Sequence, residues 1–160
     1  MTVEEIVERY GDMLFRMCMV MLCSEHDAQD AVQDTFCRYM EHAPAFRDEE
    51  HEKAWLLQVA ANRCRDVYRS RKRHPAVELT ETACYCELTE HSEVLTELMG
   101  LPEKLKAVIC LYYIEGYRTK EIAKMLGITT NAVKKRLQKG RKMLRLSLAE
   151  DSVSRSKTGR

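Results

Sequence analysis

Residues 119–137 read TKEIAKMLGITTNAVKKRL, and this stretch decides the architecture. Ile122, Ala123 and Leu126 recur at the spacing of one helix face, and Thr119 can cap a helix from Lys120 to Leu126. Gly127 accepts the positive φ that a tight turn needs, and Ile128 plugs that turn. Thr129 or Thr130 then caps a last helix that runs to about Leu146. Helix, short glycine-containing turn, helix is the helix-turn-helix pattern. At about 100° per residue, Val133, Leu137, Gly140 and Leu144 gather on one side and are expected to face the core. Asn131, Lys134, Lys135, Gln138 and Lys142 occupy the other side. Asn, Gln and Lys on the N-terminal half of such a helix suit base edges in a major groove. Thr130, Arg136, Arg141 and Lys142 are placed to meet phosphates. A Lys-rich solvated helix is the plainer alternative, and the Leu126-Gly127-Ile128 turn argues against it.

Upstream of this block, Pro102 is expected at the first helical position, ahead of Val108, Ile109, Leu111 and Tyr112, with Gly116 ending that helix. Residues 75–98 have weak periodicity, one proline and one sign of charge, and read as a flexible acidic linker with a helical end near Ser92 to Met99. Fully extended, such a segment reaches about 80 Å. That is enough to let two domains contact DNA about two turns, or about 70 Å, apart.

The first block is helical as well. Ile6, Tyr10, Met13, Leu14, Met17 and Met21 form one amphipathic stripe. Ser24 looks like the cap of a second helix, to about Glu41, with Ala28, Val32, Phe36 and Tyr39 inward and Asp27, Asp30, Asp34 and Glu41 opposite. A turn holds Pro44, Phe46, Arg47 and Asp48, and a third helix covers about 50–72 with Ala54, Leu57, Ala61, Cys64 and Tyr68 inward. Few glycines and prolines and abundant Ala, Leu, Met, Glu and Lys complete an all-α reading: two small helical domains joined by a flexible linker.

Charge is unevenly spread along the 160 residues. The formal net charge is +1, but residues 1–74 carry −3, residues 75–100 carry −6 and residues 101–160 carry +10. The C-terminal block has the charge that a phosphate backbone attracts, and the middle stretch would be repelled by one. A second basic run, Arg63, Arg65, Arg69, Arg71, Lys72 and Arg73, is opposed locally only by Asp66. It is either a helix end favoured by its dipole or a second nucleic-acid surface. Phe46, Trp55, Tyr68 and Asn62 stand near it, and stacking rings with Arg and Asn suit unpaired or extruded bases. Trp55 could equally be core. The acidic stripe of the second helix is a solvated face or a docking face for a basic partner; one helix alone makes a poor oxygen cage for a divalent metal.

The apolar run Met17 to Cys23 is far too short to cross a bilayer, and the acidic N-terminal MTVEEIVERY does not read as a signal peptide. Seven cysteines are therefore expected as reduced thiols in a cytoplasmic protein. Cys84, Cys86 and His91 carry a weak zinc or redox pattern. No nucleophile–base pair, phosphate-cradling loop or metal cluster stands out, so neither an enzyme, a cofactor nor a small-molecule substrate is expected.

Two motif clusters resemble the sigma-70 family of bacterial RNA polymerase sigma factors, in its extracytoplasmic-function (ECF) group. One is Asp27 through Phe36 (DAQDAVQDTF), then Phe46-Arg47, Ala54-Trp55-Leu56-Leu57 and Ala60-Ala61-Asn62-Arg63-Cys64-Arg65-Asp66, which is similar to region two. The other is Leu101-Pro102, Glu121-Ile122-Ala123, Leu126-Gly127-Ile128 and Val133 through Leu137, which is similar to region four. The chain departs from the family's usual residues at Gln29, Asp34 and Asn131-Ala132.

The resemblance implies a division of labour. Residues 1–74 would be region two, 75–98 the linker, 99–148 region four and 149–160 a disordered tail. Asp27, Asp30, Gln33 and Asp34 would dock on the β′ clamp of core RNA polymerase. Phe46, Arg47, Trp55, Asn62, Arg63 and Asp66 would capture the minus-ten element of promoter DNA as a single strand. Thr130, Asn131, Lys134, Lys135, Arg136 and Gln138 would read the minus-thirty-five duplex, while Leu105, Ile109 and Tyr112 are core or face the β flap. An anti-sigma factor would be a further partner and could hold the protein at the inner membrane face. The alternative from the residues alone is an autonomous helix-turn-helix regulator whose N-terminal block senses a ligand or dimerises.

Overall fold

A computed structural model describes the backbone of residues 2–73 and 93–158 and the side chains of residues 2–73 and 95–145. The expected linker core and the Cys84, Cys86 and His91 group lie outside the described residues, apart from the helical end that the sequence placed near Met99. Every regular element among the described residues is helical. The elements fall into two compact units, one on each side of that stretch.

The first unit is a three-helix bundle. Helix α1 (Val3–Leu22) opens on Thr2, whose hydroxyl accepts the Glu5 N–H while the Glu5 carboxylate accepts the Thr2 N–H. This reciprocal cap satisfies two of the donors that a helix start leaves unpaired. The helix ends at Cys23, held in the left-handed region at φ 53° with its N–H on the Met19 carbonyl at 2.8 Å. Ser24 caps α2 (Glu25–His42) through Asp27 N–H, as its sequence position predicts. Asp48 starts α3 (Glu49–Arg73), its carboxylate accepting the His51 N–H at 2.8 Å. Ile6, Leu14, Met19, Met21 and Leu22 meet Ala28 and Ala31 of α2 and Leu56, Leu57, Ala60 and Cys64 of α3 in the core. Small residues on α2 and α3 let the helices approach, and the bulky side chains of α1 fill the space between them.

Polar contacts also cross this core. Tyr68 of α3 donates its hydroxyl to the Met21 carbonyl at the end of α1. Glu52 of α3, only 6% exposed, accepts hydroxyls from Tyr10 of α1 at 2.9 Å and Tyr39 of α2 at 2.8 Å. One carboxylate therefore joins all three helices. Burial, reinforced by that carboxylate, pushes the Tyr39 hydroxyl up from the ordinary 10.0 to about 12, and moves Tyr10 the same way.

The second unit holds α4 (Glu93–Met99), α5 (Glu103–Ile109), α6 (Thr119–Leu126) and α7 (Thr130–Thr158). Pro102 sits one place before the expected first helical position: its ψ of 144° is extended, and its carbonyl accepts the Leu105 and Lys106 N–H groups. The chain continues from α5 through a π-helical turn, Cys110–Ile114, in which Glu115 N–H reaches back five residues to the Cys110 carbonyl. Gly116 at φ 77° then lets Tyr117 N–H close on the Leu111 carbonyl. Arg118, rather than Thr119, is the extended residue before α6, and Glu121 accepts its N–H at 3.2 Å. Gly127 turns at φ 67°, and Thr129 caps α7 through Ala132 N–H.

Helix α7 does not end near Leu146 or give way to a disordered tail after residue 148; it runs to Thr158. After Gly140 no glycine or proline occurs until Gly159, so nothing in the chain breaks the helix. Its inner side behaves as the spacing predicts. Val133 and Leu137 are fully buried, and Gly140 lies so close to α5 that an added Cβ would sit 3.1 Å from Ile109. The cost of a mid-helix glycine is offset by that approach.

Two outcomes follow from this packing. Gly140→Val should destabilise the chain by about 1–3 kcal/mol in urea unfolding, because two methyls are forced against Ile109. Gly11→Ala, whose Cβ would meet only Val7 at 3.8 Å, should instead stabilise by about 0.5–1 kcal/mol. The tyrosine hydroxyls give a third outcome. Their folded-state values lie above the unfolded 10.0, so their contribution is whole below that pH and is lost as pH rises towards about 12. Stability measured across that window should fall more steeply for the wild type than for Tyr39→Phe.

Candidate nucleic-acid and partner interfaces

The first unit gathers an aromatic cluster where α2, the 43–48 turn and the start of α3 meet. Phe46 stacks on Tyr39 with centroids 6.0 Å apart and planes 14° from parallel. Trp55 meets both edge-on, at 6.1 Å from Tyr39 and 5.8 Å from Phe46. His51 closes the group at 5.3 Å from Phe46, and its Nδ1 accepts the Arg47 N–H at 3.2 Å. The cap at Asp48 fixes His51, and through it the path of the turn. Phe46, Trp55 and Tyr39 are each half-buried, so part of their ring surface remains accessible. Trp55 is thus neither plain core nor free surface.

Farther along α3, Asn62 and Asp66 are exposed. Positions 55, 62 and 66 fall within about 40° of one another on a helix, so Trp55, Asn62 and Asp66 share a stripe. Asn62 accepts a hydrogen bond from Arg65 at 2.6 Å. Arg63 lies to one side of the stripe and turns instead to α2, where its Nε meets Asp34 at 2.6 Å. Arg71 reaches Asp27 of α2 at 2.5 Å. Asp27 and Asp34 are therefore already paired with cations of α3, while Asp30 and Gln33 are exposed, Asp30 lying 3.4 Å from His26 of its own helix. A cleft of about 370 Å³ lies between the helices, lined by Asp27, Asp30, Arg63, Asp66, Ser70 and Arg71. His26, Asp27 and Asp30 bring three possible metal ligands within 4.8 Å of one another, but Arg71 already takes the Asp27 carboxylate.

In the second unit the outer side of α7 presents Asn131, Lys134, Lys135 and Gln138 to solvent, with Thr130 and Arg136 half-buried. Gln138, Arg141, Lys142 and Arg145 line a basic concavity of about 420 Å³ farther along the helix. This side of α7 is positively charged and its side chains are long, so it can address both phosphates and base edges. Leu105 and Ile109 are buried core. Tyr112, Tyr113 and Ile114 are exposed at the π-helical turn, and the Arg141 guanidinium lies about 6 Å over both tyrosine rings. Burial pushes the Cys110 thiol up to about 12, which leaves it a core group and not a thiolate.

Several contributing residues were not singled out by sequence. Tyr39 read only as part of an inward stripe. Glu52 was hidden among the acidic residues of a helix first turn, and its one anomaly, two tyrosines within reach, exists only in three dimensions. Arg71 belonged to a basic run with no signal for which member would pair. No helix among the described residues is long and apolar enough to cross a membrane.

Comparison with known proteins agrees with both units. The sigma-70 region 2 family matches residues 6–74, and sigma-70, region 4 matches residues 91–144. The ECF RNA polymerase sigma factor SigM of Bacillus subtilis is 30% identical, over 91% of this chain and 94% of its own length. SigW of the same organism is 29% identical over 91% of this chain and 88% of its own. Among solved structures, CnrH in complex with the cytosolic domain of CnrY aligns with a TM-score of 0.69 and 29% identity, covering 93% of this chain and 88% of that one. The sigma factor RpoE of Bartonella quintana, in complex with the anti-sigma factor NepR, shares the fold at a TM-score of 0.70 and 17% identity, over 91% and 96% of the two chains. With both halves matched in this order, and a 30% identical relative aligned over 91% of the chain, the chain belongs to the sigma-70 family of RNA polymerase sigma factors, in its ECF group.

Proposed function

We propose that the chain binds core RNA polymerase and directs it to particular promoters, reading one DNA element as duplex and another as single strand. The observation that carries this is the contrast between the two exposed surfaces. Helix α7 offers long cationic and amide side chains on a rigid helix, which suits intact duplex. The first unit offers half-exposed rings beside the Asn62 amide, which suits bases taken out of the stack.

In this reading Thr130, Asn131, Lys134, Lys135, Arg136 and Gln138 engage the minus-thirty-five duplex. Phe46, Arg47, Trp55, Asn62 and Asp66 receive the minus-ten strand. Arg63, committed to Asp34, contributes through its charge and by holding α3 against α2. Asp30 and Gln33 form the accessible part of the polymerase-docking face, and docking at Asp27 or Asp34 requires an exchange of ion-pair partners. Both pairs are partly solvated, so such an exchange costs little; exposed pairs contribute about 0–1 kcal/mol each. The domain roles follow: residues 1–74 dock and open, 99–148 position, and the acidic segment between them joins the two.

The chain supplies specificity and strand capture, and bond formation belongs to the polymerase; no catalytic role is assigned to it. Binding of unpaired bases offsets the few kcal/mol that unstacking costs. The complex of CnrH with the cytosolic domain of CnrY, and that of RpoE with the anti-sigma factor NepR, support an anti-sigma factor as a further partner. The site of action is the cytoplasm, where polymerase and DNA are found.

The test is transcription by core polymerase, with and without the chain, on start sites that the holoenzyme selects from a random duplex library. New, sequence-dependent initiation is expected. Lys135→Ala should weaken dependence on the upstream element by about 1–3 kcal/mol if the side chain touches a base. Asn62→Ala should slow strand opening and leave co-purification with polymerase unchanged. Tight, promoter-selective gel shifts by the isolated chain, with no effect on polymerase, would favour an autonomous regulator instead.

A further inference from the structure

We infer that Tyr39 and Glu52 are positioning residues for single-strand capture: the buried Glu52 carboxylate pins the Tyr39 ring, and that ring sets the orientation of Phe46 and Trp55. This rests on the reading of the aromatic cluster as the site that receives unpaired bases.

The geometry is asymmetric in an informative way. Glu52 uses one oxygen for Tyr10 and the other for Tyr39, at nearly equal distances of 2.9 and 2.8 Å. Tyr10 is a buried α1 residue, and no aromatic contact joins it to the cluster. Tyr39 is the ring on which Phe46 stacks and against which Trp55 packs edge-on. The two hydroxyls thus make equivalent bonds to the same group, and only one of them belongs to the surface that meets DNA.

Pinning matters because an aromatic side chain on a helix surface turns about two torsions. A hydroxyl held by a buried carboxylate fixes both at once, and hydrogen bonds to charged acceptors are the stronger kind. With Tyr39 fixed, Phe46 has a rigid surface to lie on, although it sits in the turn and not in a helix. The backbone of that turn is held separately, by Arg47 N–H on His51. A pre-ordered platform lowers the ordering cost of receiving a base.

The chain has one tryptophan, Trp55, which sits in the cluster and reports on it directly. In the free full-length chain, Tyr39→Phe should raise acrylamide quenching of Trp55 emission, and Tyr10→Phe should leave it unchanged. With core polymerase on a selected start site, permanganate reactivity of the opened strand should appear roughly tenfold more slowly for Tyr39→Phe, the scale of one hydrogen bond to a charged group. Tyr10→Phe should remain within about twofold, since it alters no ring of the cluster. Glu52→Gln, which can still accept from one phenol and donate to the other, should recover most of the rate, and polymerase association should be unaltered throughout. Equal effects of Tyr10→Phe and Tyr39→Phe, or no effect of Tyr39→Phe on either readout, would overturn the inference and leave the sigma reading standing. Wild-type chain that is inert with polymerase would overturn both.

Discussion

A carboxylate buried where three helices meet constrains the N-terminal unit. A carboxyl group taken out of water is costly unless its oxygens are hydrogen-bonded, and Tyr10 and Tyr39 each supply Glu52 with one such bond. Those phenols come from α1 and α2, and the carboxylate comes from α3. The register of each helix against the other two is therefore tied to one point. Apolar packing of Leu56, Leu57 and Met21 supplies the larger share of the stability, but it tolerates sliding in a way that a paired buried carboxylate does not. The aromatic cluster sits directly on this junction, so the accuracy of the junction passes to the surface.

Electrostatics divides the molecule differently from the fold. The C-terminal unit keeps its cations outward on α7, where they can attract phosphate at long range. The N-terminal unit spends some of its cations internally, Arg63 on Asp34 and Arg71 on Asp27. That pairing lowers the net field at the surface proposed to hold single-stranded DNA, and leaves stacking and the Asn62 amide to carry recognition there. This distribution supports the proposal that the chain binds DNA weakly alone and selectively when a larger partner holds both elements in place.

Much of this was legible in the sequence, because it rests on local rules. Ser24, Gly127 and Thr129 act where their chemistry places them, and the inward faces of α1 and α7 follow the spacing of their apolar residues. The misreadings were local too. Pro102 and Thr119 were each displaced by one position, because the backbone angle of the preceding or same residue, not residue type, decides where a helix begins. The end of α7 was set too early because polar composition was read as disorder in a stretch that has no helix breaker. What sequence could not give was pairing across helices. Nothing marks Arg63 as the partner of Asp34, or Glu52 as the anchor of Tyr39, since those choices are made by packing between residues 29 and 13 positions apart.

In the proposed function, two units of one chain contact separate stretches of a start site in different states of pairing. Site-specific photocrosslinking within the assembled holoenzyme tests it most directly, with benzoylphenylalanine introduced at position 62 or at position 134. The adduct from position 62 should map to one strand of the opened region and form only after opening. The adduct from position 134 should map to intact duplex farther upstream and form before opening. Adducts from both positions on the same duplex segment, or an adduct from position 62 that forms equally well on closed DNA, would contradict it.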